Sequence, residues 1–156
     1  MKKIIISFII TLSISFSLVG CSKEVTDEEL SLNLSLNEQD TAYTGKYTGT
    51  LVDNIPNGKG KFTVQGESDD DTWYYEGDFT DGHFSGEGKR VFDKKNIRQD
   101  GTYANDKLNG YGKRFVDDVL VYEGEFKDDK RNGNGKAYDL DGSILYEGEF
   151  RNNEPN

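Results

Sequence analysis

Small, aromatic and acidic residues alternate in a short segment that recurs through the last two thirds of the chain. In residues 75–79, Tyr75, Gly77 and Phe79 would share one face of a β-strand, and the two acidic residues between them would share the other. Stretches rich in Asn, Asp and Gly, such as residues 106–110, follow these segments and are typical of tight turns. The pattern therefore predicts an all-β fold of tandem antiparallel hairpins.

Glycine positions give this pattern its period. Five leading glycines are 23 to 28 residues apart, and each is followed two residues later by an aromatic residue or a leucine. They are Gly49, Gly77, Gly101, Gly124 and Gly148. A tyrosine stands two residues before four of them, Gln99 takes that place in the third unit, and the first four units have two further glycines each. Because one hairpin cannot bury its own aromatic face, we expect neighbouring units to cover each other in a row.

The segment YEGEFKDDKRNGNGKAYDLDGSILYEGEF, residues 122–150, resembles tandem MORN motifs. The elements that carry the resemblance are Tyr-Glu-Gly-Glu followed by an aromatic residue, then Asn-Gly and a second glycine two residues later. The resemblance extends over residues 47–151 and implies an elongated, twisted single sheet of antiparallel hairpins, with about 4.5 to 5 repeats. Two departures are a degenerate first unit (YTGTL) and an insertion around residues 69–71 that lengthens it.

The amino-terminal segment has a different character. A Met-Lys-Lys start precedes an apolar run over residues 4–19, which is the build of a secretory signal peptide. Residues 18–21, Leu-Val-Gly-Cys, resemble the lipobox of bacterial lipoproteins, which implies that Cys21 is lipidated and becomes the mature amino terminus. The alternatives are an uncleaved anchor helix, for which the run is at the short limit, and a chance cysteine. The expected location is the bacterial cell membrane, lipid-anchored and facing outward.

The segment after the predicted lipobox is polar and acidic. Leucines alternate with polar residues over residues 30–36 and would fit a strand, but a strand without a partner is not stable. We therefore predict a flexible acidic tether over residues 21–42. The expected organisation is a signal peptide over residues 1–20, this tether, and a repeat array over residues 43–156.

Charge and composition restrict the ligand and reaction classes. The formal net charge is −10, and removal of the leader with its two lysines makes it −12. This sign disfavours nucleic acid and anionic lipid as direct ligands. Cys21 is the only cysteine and His83 the only histidine, so no nucleophilic or metal-hydrolase constellation can be assembled. We expect no enzyme activity, cofactor or metal site, and no special role for His83, which Lys107 and Lys130 replace in later units.

Recurrent acidic residues could form a cation ladder or a glycosidase-like pair of carboxylates. They are Glu76, Asp78, Glu123, Glu125, Glu147 and Glu149. A lysine stands where the returning strand of each unit would face these acids, so structural cross-strand ion pairs are favoured instead. These lysines are Lys61, Lys89, Lys113 and Lys136. Residues 69–71, and Asp139 with Asp141, could hold Ca²⁺, but they lack the spacing of a Ca²⁺-binding loop.

Aromatic residues are the candidates for a ligand-binding groove, because aromatic rings stack on sugars and anchor protein partners. The candidates are Trp73, Tyr74, Tyr75, Phe79, Tyr103, Tyr122, Phe126 and Tyr146. Trp73 and Tyr74 stand just outside the repeated positions and are the strongest of them. Most of the other rings are also needed to cover the sheet.

Three functions remain open at this point. The leading hypothesis is a membrane-tethered, outward-facing repeat scaffold that binds another protein of the bacterial envelope without catalysis. One alternative is a cell-wall glycan-binding lipoprotein. The other, which the family resemblance implies, is a repeat protein that associates with phospholipid, although a charge of −12 opposes anionic lipid. The last unit resembles half a hairpin, so its uncapped edge could pair with a second molecule.

Overall fold

Eleven antiparallel strands form one open sheet in the computed structural model of this chain, which describes residues 21–36, 40–66 and 72–156. The strands are neighbours in chain order, which confirms the predicted all-β fold of tandem hairpins. None of the described residues belongs to a helix that is long and apolar enough to cross a membrane. The predicted signal peptide, residues 1–20, and the aspartates at 69–71 lie outside the described residues.

Ten strands of 8 to 13 residues and a final strand of two residues make up the sheet. They are β1 Ser22–Leu34, β2 Thr41–Val52, β3 Ile55–Val64, β4 Trp73–Thr80, β5 His83–Phe92, β6 Ile97–Ala104, β7 Lys107–Val116, β8 Val119–Lys127, β9 Lys130–Tyr138, β10 Ile144–Arg151 and β11 Glu154–Pro155. A single turn of 3-10 helix, Asp93–Lys95, lies between β5 and β6. The hairpins β2–β3, β4–β5, β6–β7, β8–β9 and β10–β11 correspond to the five sequence units.

Two-residue turns close most of these hairpins. Between β6 and β7, Asn105 and Asp106 have φ angles of 48° and 69°, in the left-handed region that type I′ turns require. Positive φ angles at two consecutive residues recur in the hairpin turns Asp53-Asn54, Asp128-Asp129 and Asn152-Asn153, and also in Asp117-Asp118, which joins the third unit to the fourth. Asn and Asp tolerate this backbone conformation better than other residues with a side chain. The predicted tight connections are thus confirmed for these hairpins.

Strand β1 occupies most of the segment for which the sequence predicted a flexible tether. It pairs with β2 along its length, with one bulge. Leu34 is fully buried and Leu32 is 8% exposed. The prediction of a flexible tether over residues 21–42 is therefore wrong for β1. Strand β2 has a free edge and a hydrophobic face, and these give the alternating leucines the partner that a lone strand lacks. The sheet therefore begins at Ser22, one strand before the first repeat unit.

A row of glycines crosses the sheet from β2 to β10. Each is paired with the next on the neighbouring strand, in the order Gly49, Gly60, Gly77, Gly88, Gly101, Gly112, Gly124, Gly135 and Gly148. The Tyr75 ring lies on this row, since a Cβ added to Gly88 would stand 2.5 Å from its Cε2 atom. In the four units that have this tyrosine, the glycines thus make room for the ring of their own hairpin, as at Gly60, Gly88, Gly135 and Gly148. We call the face with Tyr75 the inner face and the face with Glu76 the outer face.

Phenylalanine rings join neighbouring units on the inner face. The Phe79 ring is edge-on to Tyr75 of its own unit and to Tyr47 of the preceding unit, with ring centroids 5.2 Å apart in both pairs. Phe150 makes the same contacts with the tyrosines of the last two units, at 5.0 and 5.1 Å. Edge-to-face packing of this kind stabilises aromatic pairs beyond the area they bury. The expectation that each unit is covered by its neighbour is confirmed.

Hydrogen bonds from the turn of one unit to the start of the second strand in the preceding unit form a second link between units. The backbone N–H of Asp106 donates to the carbonyl oxygen of Phe84 at 3.2 Å, and its carboxylate accepts the Phe84 N–H at 2.8 Å. The same two bonds occur in the pairs Asp129 with Leu108 and Asn153 with Arg131. In unit two the pair is Gly82 and Pro56, and only the bond from the Gly82 N–H is made, at 3.0 Å. The second bond is absent because Pro56 has no N–H to donate and Gly82 has no side chain to accept it, so no polar group is left unpaired by its loss.

Candidate functional site

Most of the aromatic residues predicted to line a ligand groove lie in the core. Six of the eight side chains are at most 6% exposed: Trp73, Tyr75, Phe79, Tyr103, Tyr122 and Phe126. Tyr74 and Tyr146 are half-buried. The prediction that these eight residues line a ligand groove is therefore wrong for the six buried ones. The period-two pattern places these rings on one face, but it does not tell whether neighbouring units cover that face.

Trp73 and Tyr74, the strongest sequence candidates, lie on opposite faces of β4. The Trp73 ring packs edge-on against three aromatic rings of neighbouring strands, with centroids 5.5 to 6.2 Å apart. Tyr74 lies on the outer face, and the Lys61 ammonium is 4.0 Å from its ring centroid. Trp73 is thus a core residue and Tyr74 is covered by a lysine. The glycan-binding alternative loses Trp73, one of the two side chains on which it chiefly depended, whereas Tyr74 stays partly exposed.

Lysines and acids alternate across the outer face from strand to strand. The paired positions run in the order Lys61, Glu76, Lys89, Asp100, Lys113, Glu123, Lys136 and Glu147. Ion pairs join Lys89 to Glu76 at 3.3 Å and Lys136 to Glu147 at 3.0 Å. The predicted cross-strand pairing of lysines with acids is confirmed, and we refer to this row as the charge ladder. Exposed pairs of this kind stabilise a sheet by a few tenths of a kcal/mol to about 1 kcal/mol each.

Glu123 has several bonds within the charge ladder. The Tyr138 hydroxyl donates to its Oε1 atom at 2.7 Å, and the Lys113 ammonium is 3.5 Å from its Oε2 atom. The hydrogen bond from Tyr138, followed by the charge of Lys113, holds the pKa of Glu123 below its ordinary value. The same bond raises the pKa of Tyr138 to about 12. This carboxylate is engaged by its neighbours and is ionised, as structural pairing requires.

A polar cluster interrupts the aromatic core in the third unit. Gln99 stands where four units have tyrosine, and Arg90 and Arg114 pair with it from the strands on either side. Arg90 and Gln99 are each 5% exposed. Nη2 of Arg90 donates to Oε1 of Gln99 at 3.0 Å and lies 2.9 Å from Oδ1 of Asp129. From the sequence, we identified Gln99 but not the two arginines. A polar residue in the tyrosine position was the signal that could have indicated a polar cluster there.

A buried aspartate ties the amino-terminal strand to the array. Asp106 has no exposed surface, and its Oδ2 atom accepts the N–H of Ser35, just after β1, at 2.8 Å. The same oxygen is 2.8 Å from Nδ1 of His83. His83 therefore has a contact that the sequence did not predict. Its position beside Asp106 supports a role in holding β1 against the third unit.

The outer edge of β10 is open over most of its length. Strand β11 pairs only with Phe150 and Arg151, so no described strand covers residues 144–148 on that side. Leu140, Ile144 and Leu145 at this end are 56 to 64% exposed. An unpaired strand edge beside exposed apolar side chains is a surface suited to the addition of a further strand.

Cys21 is an exposed free thiol at the start of β1. Its backbone N–H donates to Oδ1 of Asp53 at 3.1 Å, and its carbonyl oxygen accepts the Asp53 N–H at 3.1 Å. Within residues 21–36, 40–66 and 72–156, no group of three or more His, Cys, Asp or Glu side chains is placed to hold a metal ion. The lipidation of Cys21 and the absence of catalysis stay predictions.

The sequence profile of the MORN repeat matches five segments, residues 47–63, 75–97, 100–117, 122–144 and 146–156. Each segment coincides with one of the five hairpins from β2–β3 to β10–β11. A search of curated proteins found no match. The matched segments make up more than half of the 156 residues, so the chain belongs to the MORN-repeat family.

Proposed function

We propose that this chain is a lipid-anchored, outward-facing scaffold that binds another envelope protein by strand addition at β10, without catalysis of its own. The observation that carries the proposal is the open edge of β10 beside the exposed side chains of Leu140, Ile144 and Leu145. A row of hairpins joined by shared rings and by hydrogen bonds between neighbouring units is a stiff support for such an edge. MORN arrays are consistent with this kind of scaffold.

The charge ladder indicates what kind of strand would fit this edge. Glu123 lies between two lysines, on β7 and β9, but Glu147 on β10 has a lysine on one side only among the described residues. The Glu147 side chain is 56% exposed. A partner strand with a basic residue opposite Glu147 and a small residue opposite Gly148 would continue both the charge ladder and the glycine row.

A second copy of the chain fits this edge less well. Two antiparallel copies of β10 centred on Gly148 would place Glu147 of each copy opposite Glu149 of the other. Like charges directly opposite each other destabilise a sheet. The charge pattern therefore favours a different protein with a basic strand.

Photocrosslinking in cells tests the edge. A photoreactive amino acid at position 145 should capture a partner, and Glu147→Lys should reduce the captured yield at least tenfold, because it replaces the attractive charge by a repulsive one. Glu29→Lys, at the exposed edge of β1, is the matched control and should leave the yield unchanged. Equal capture with both variants would contradict binding at β10.

The anchor proposal is tested by fractionation of cells. Cys21→Ser should move the protein from the membrane fraction to the soluble fraction, because lipid chains supply most of the membrane affinity of an anchored protein. Loss of metabolic labelling with a fatty acid should accompany this change. Membrane association that survives Cys21→Ser would favour the uncleaved anchor helix instead. Since β1 begins at Ser22, a lipid on Cys21 would hold the array close to the membrane with little freedom to tilt.

A further inference from the structure

Two arginines occupy the same place in successive units, but among the described residues only one of them has a carboxylate within ion-pair distance. Arg90 on β5 and Arg114 on β7 each follow the last glycine of their unit by two residues and lie on the inner face. Nη2 of Arg90 is 2.9 Å from Oδ1 of Asp129, the second residue of the turn between β8 and β9. One unit later, the residue in that turn position is Asn153, which carries no charge.

Asp129 and Asn153 are equivalent in their backbone contacts as well as in the repeat. Oδ1 of Asp129 accepts the N–H of Leu108, and Oδ1 of Asn153 accepts the N–H of Arg131, both at 2.9 Å. The two side chains thus hold the same place relative to the preceding unit. Arg90 therefore faces the carboxylate of Asp129, whereas the equivalent side chain one unit later is the neutral amide of Asn153.

Arg114 is a half-buried cation without a hydrogen-bonded or ion-paired partner in the described part of the chain. No hydrogen bond or ion pair joins its guanidinium to a described residue. Burial lowers the pKa of Arg114, and the positive charges of Arg131 and Arg90 lower it further. Only the negative charge of Asp129, which forms the ion pair with Arg90, acts in the opposite direction, so three arginines share one carboxylate. A charge withdrawn from water is stable only when it is paired, so an anion beside Arg114 would remove an unfavourable interaction.

We propose that Arg114 binds a carboxylate group of another molecule, in the way that Arg90 binds the carboxylate of Asp129. A guanidinium forms paired hydrogen bonds with a carboxylate through its planar set of N–H groups. Gln99, paired opposite Arg114 on β6, uses its side-chain oxygen for Arg90 and keeps amide N–H groups as further donors. The site depends neither on membrane anchoring nor on strand addition at β10.

Thermal unfolding of the full chain in carboxylate salts tests this site. At equal ionic strength, acetate or N-acetyl-aspartate amide in place of chloride should raise the Tm by roughly 1 to 3 °C, because a ligand of the folded state stabilises it. Arg114→Gln removes the guanidinium and should abolish the rise. Asn153→Asp restores the missing carboxylate within the chain. This variant should unfold at a higher temperature in chloride and show no further rise in carboxylate.

Arg98→Gln is the matched control for general salt effects. Arg98 lies on the outer face, with its guanidinium carbon 3.9 Å from the Phe115 ring centroid and its Nε atom 3.1 Å from Asp100, and its replacement should preserve the rise. In chloride, Arg114→Gln should unfold at the same temperature as the parent or higher, because it removes an unpaired charge. A lower Tm would assign Arg114 a structural role and overturn the proposal.

Comparing the Tm changes in acetate, N-acetyl-aspartate amide and inorganic phosphate shows whether the site exists and which kind of carboxylate it prefers. The proposal is overturned if the parent shows no rise, if the rise persists in Arg114→Gln, or if only inorganic phosphate produces it. A larger rise with N-acetyl-aspartate amide than with acetate would support the site and identify a protein side chain as the carboxylate source. The reverse order would support the site for a free small carboxylate.

Discussion

Replacing Gly88 with alanine is expected to lower the free energy of unfolding by about 3 kcal/mol, because the new methyl group would overlap the Tyr75 ring. An added Cβ would stand 2.3 Å from the Tyr75 hydroxyl oxygen and 2.5 Å from Cε2. The ring cannot move aside easily. It stacks on Phe84 with centroids 3.9 Å apart and meets Phe79 edge-on at 5.2 Å. Urea unfolding of the parent and the variant measures the difference.

Gly112→Ala is the matched control for this prediction. Gly112 occupies the same place one unit later, where Gln99 replaces the tyrosine. Its added Cβ would lie 3.0 Å from Cδ2 of Leu108 and 3.0 Å from the carbonyl oxygen of Asp100, so small shifts can relieve the overlap. We expect a cost of about 1 kcal/mol. Equal costs for the two alanines would show that the tyrosine ring is not the reason for the glycine.

Raising the pH above 10 is expected to unfold the protein through its buried tyrosines. Burial raises the pKa of Tyr47 to about 12 and places those of Tyr75 and Tyr103 well above the ordinary value of 10.0. An unfolded tyrosine loses its proton near pH 10, so above this pH the folded chain holds more protons than the unfolded chain. The stabilisation is fully present below pH 10 and is lost as the pH rises towards the folded pKa values. The loss is about 1.4 kcal/mol per tyrosine for each pH unit.

Two signals recorded in one alkaline titration check this prediction. Tyrosinate absorbance from the buried rings and the loss of the β-sheet circular dichroism should appear together, because these phenols ionise only when the sheet opens. Tyr75→Phe removes one such proton and should make the free energy of unfolding fall less steeply with pH above 10. Tyr111→Phe, at a ring that is 57% exposed, is the control. Ionisation of Tyr75 in an intact sheet would contradict the linkage.

The two ends of the sheet differ in how their edges are protected. Strand β1 carries exposed acids at Glu24, Glu28 and Glu29, and charged side chains along an edge strand discourage the addition of another strand. The β10 edge lies beside the exposed apolar side chains of Ile144 and Leu145. Because β10 also carries exposed acids at Glu147 and Glu149, the exposed apolar side chains are what distinguishes its edge from that of β1.

Hairpins, turns and the charge ladder could be predicted from the sequence because their causes are local. Alternation fixes which residues share a face, and consecutive Asn or Asp residues supply the positive φ angles of the turns. Once hairpins are assumed, the recurrent glycines set the register. A lysine that follows a glycine on one strand then lies opposite the acid that precedes a glycine on the next, as Lys89 does with Glu76.

The sequence by itself determined the fold class, the repeat period and the face that each side chain occupies. Only the tertiary structure decided what covers those faces. Leu32 and Leu34 form part of a strand because β2 offers a free edge, and Trp73 is buried because rings of neighbouring strands surround it. The sequence does not show that Arg90 forms an ion pair with Asp129 while Arg114 has no carboxylate at the same distance, because these residues lie in different units. Local periodicity sets the direction of a side chain, whereas contacts between distant segments decide whether it meets water, another ring or a charge.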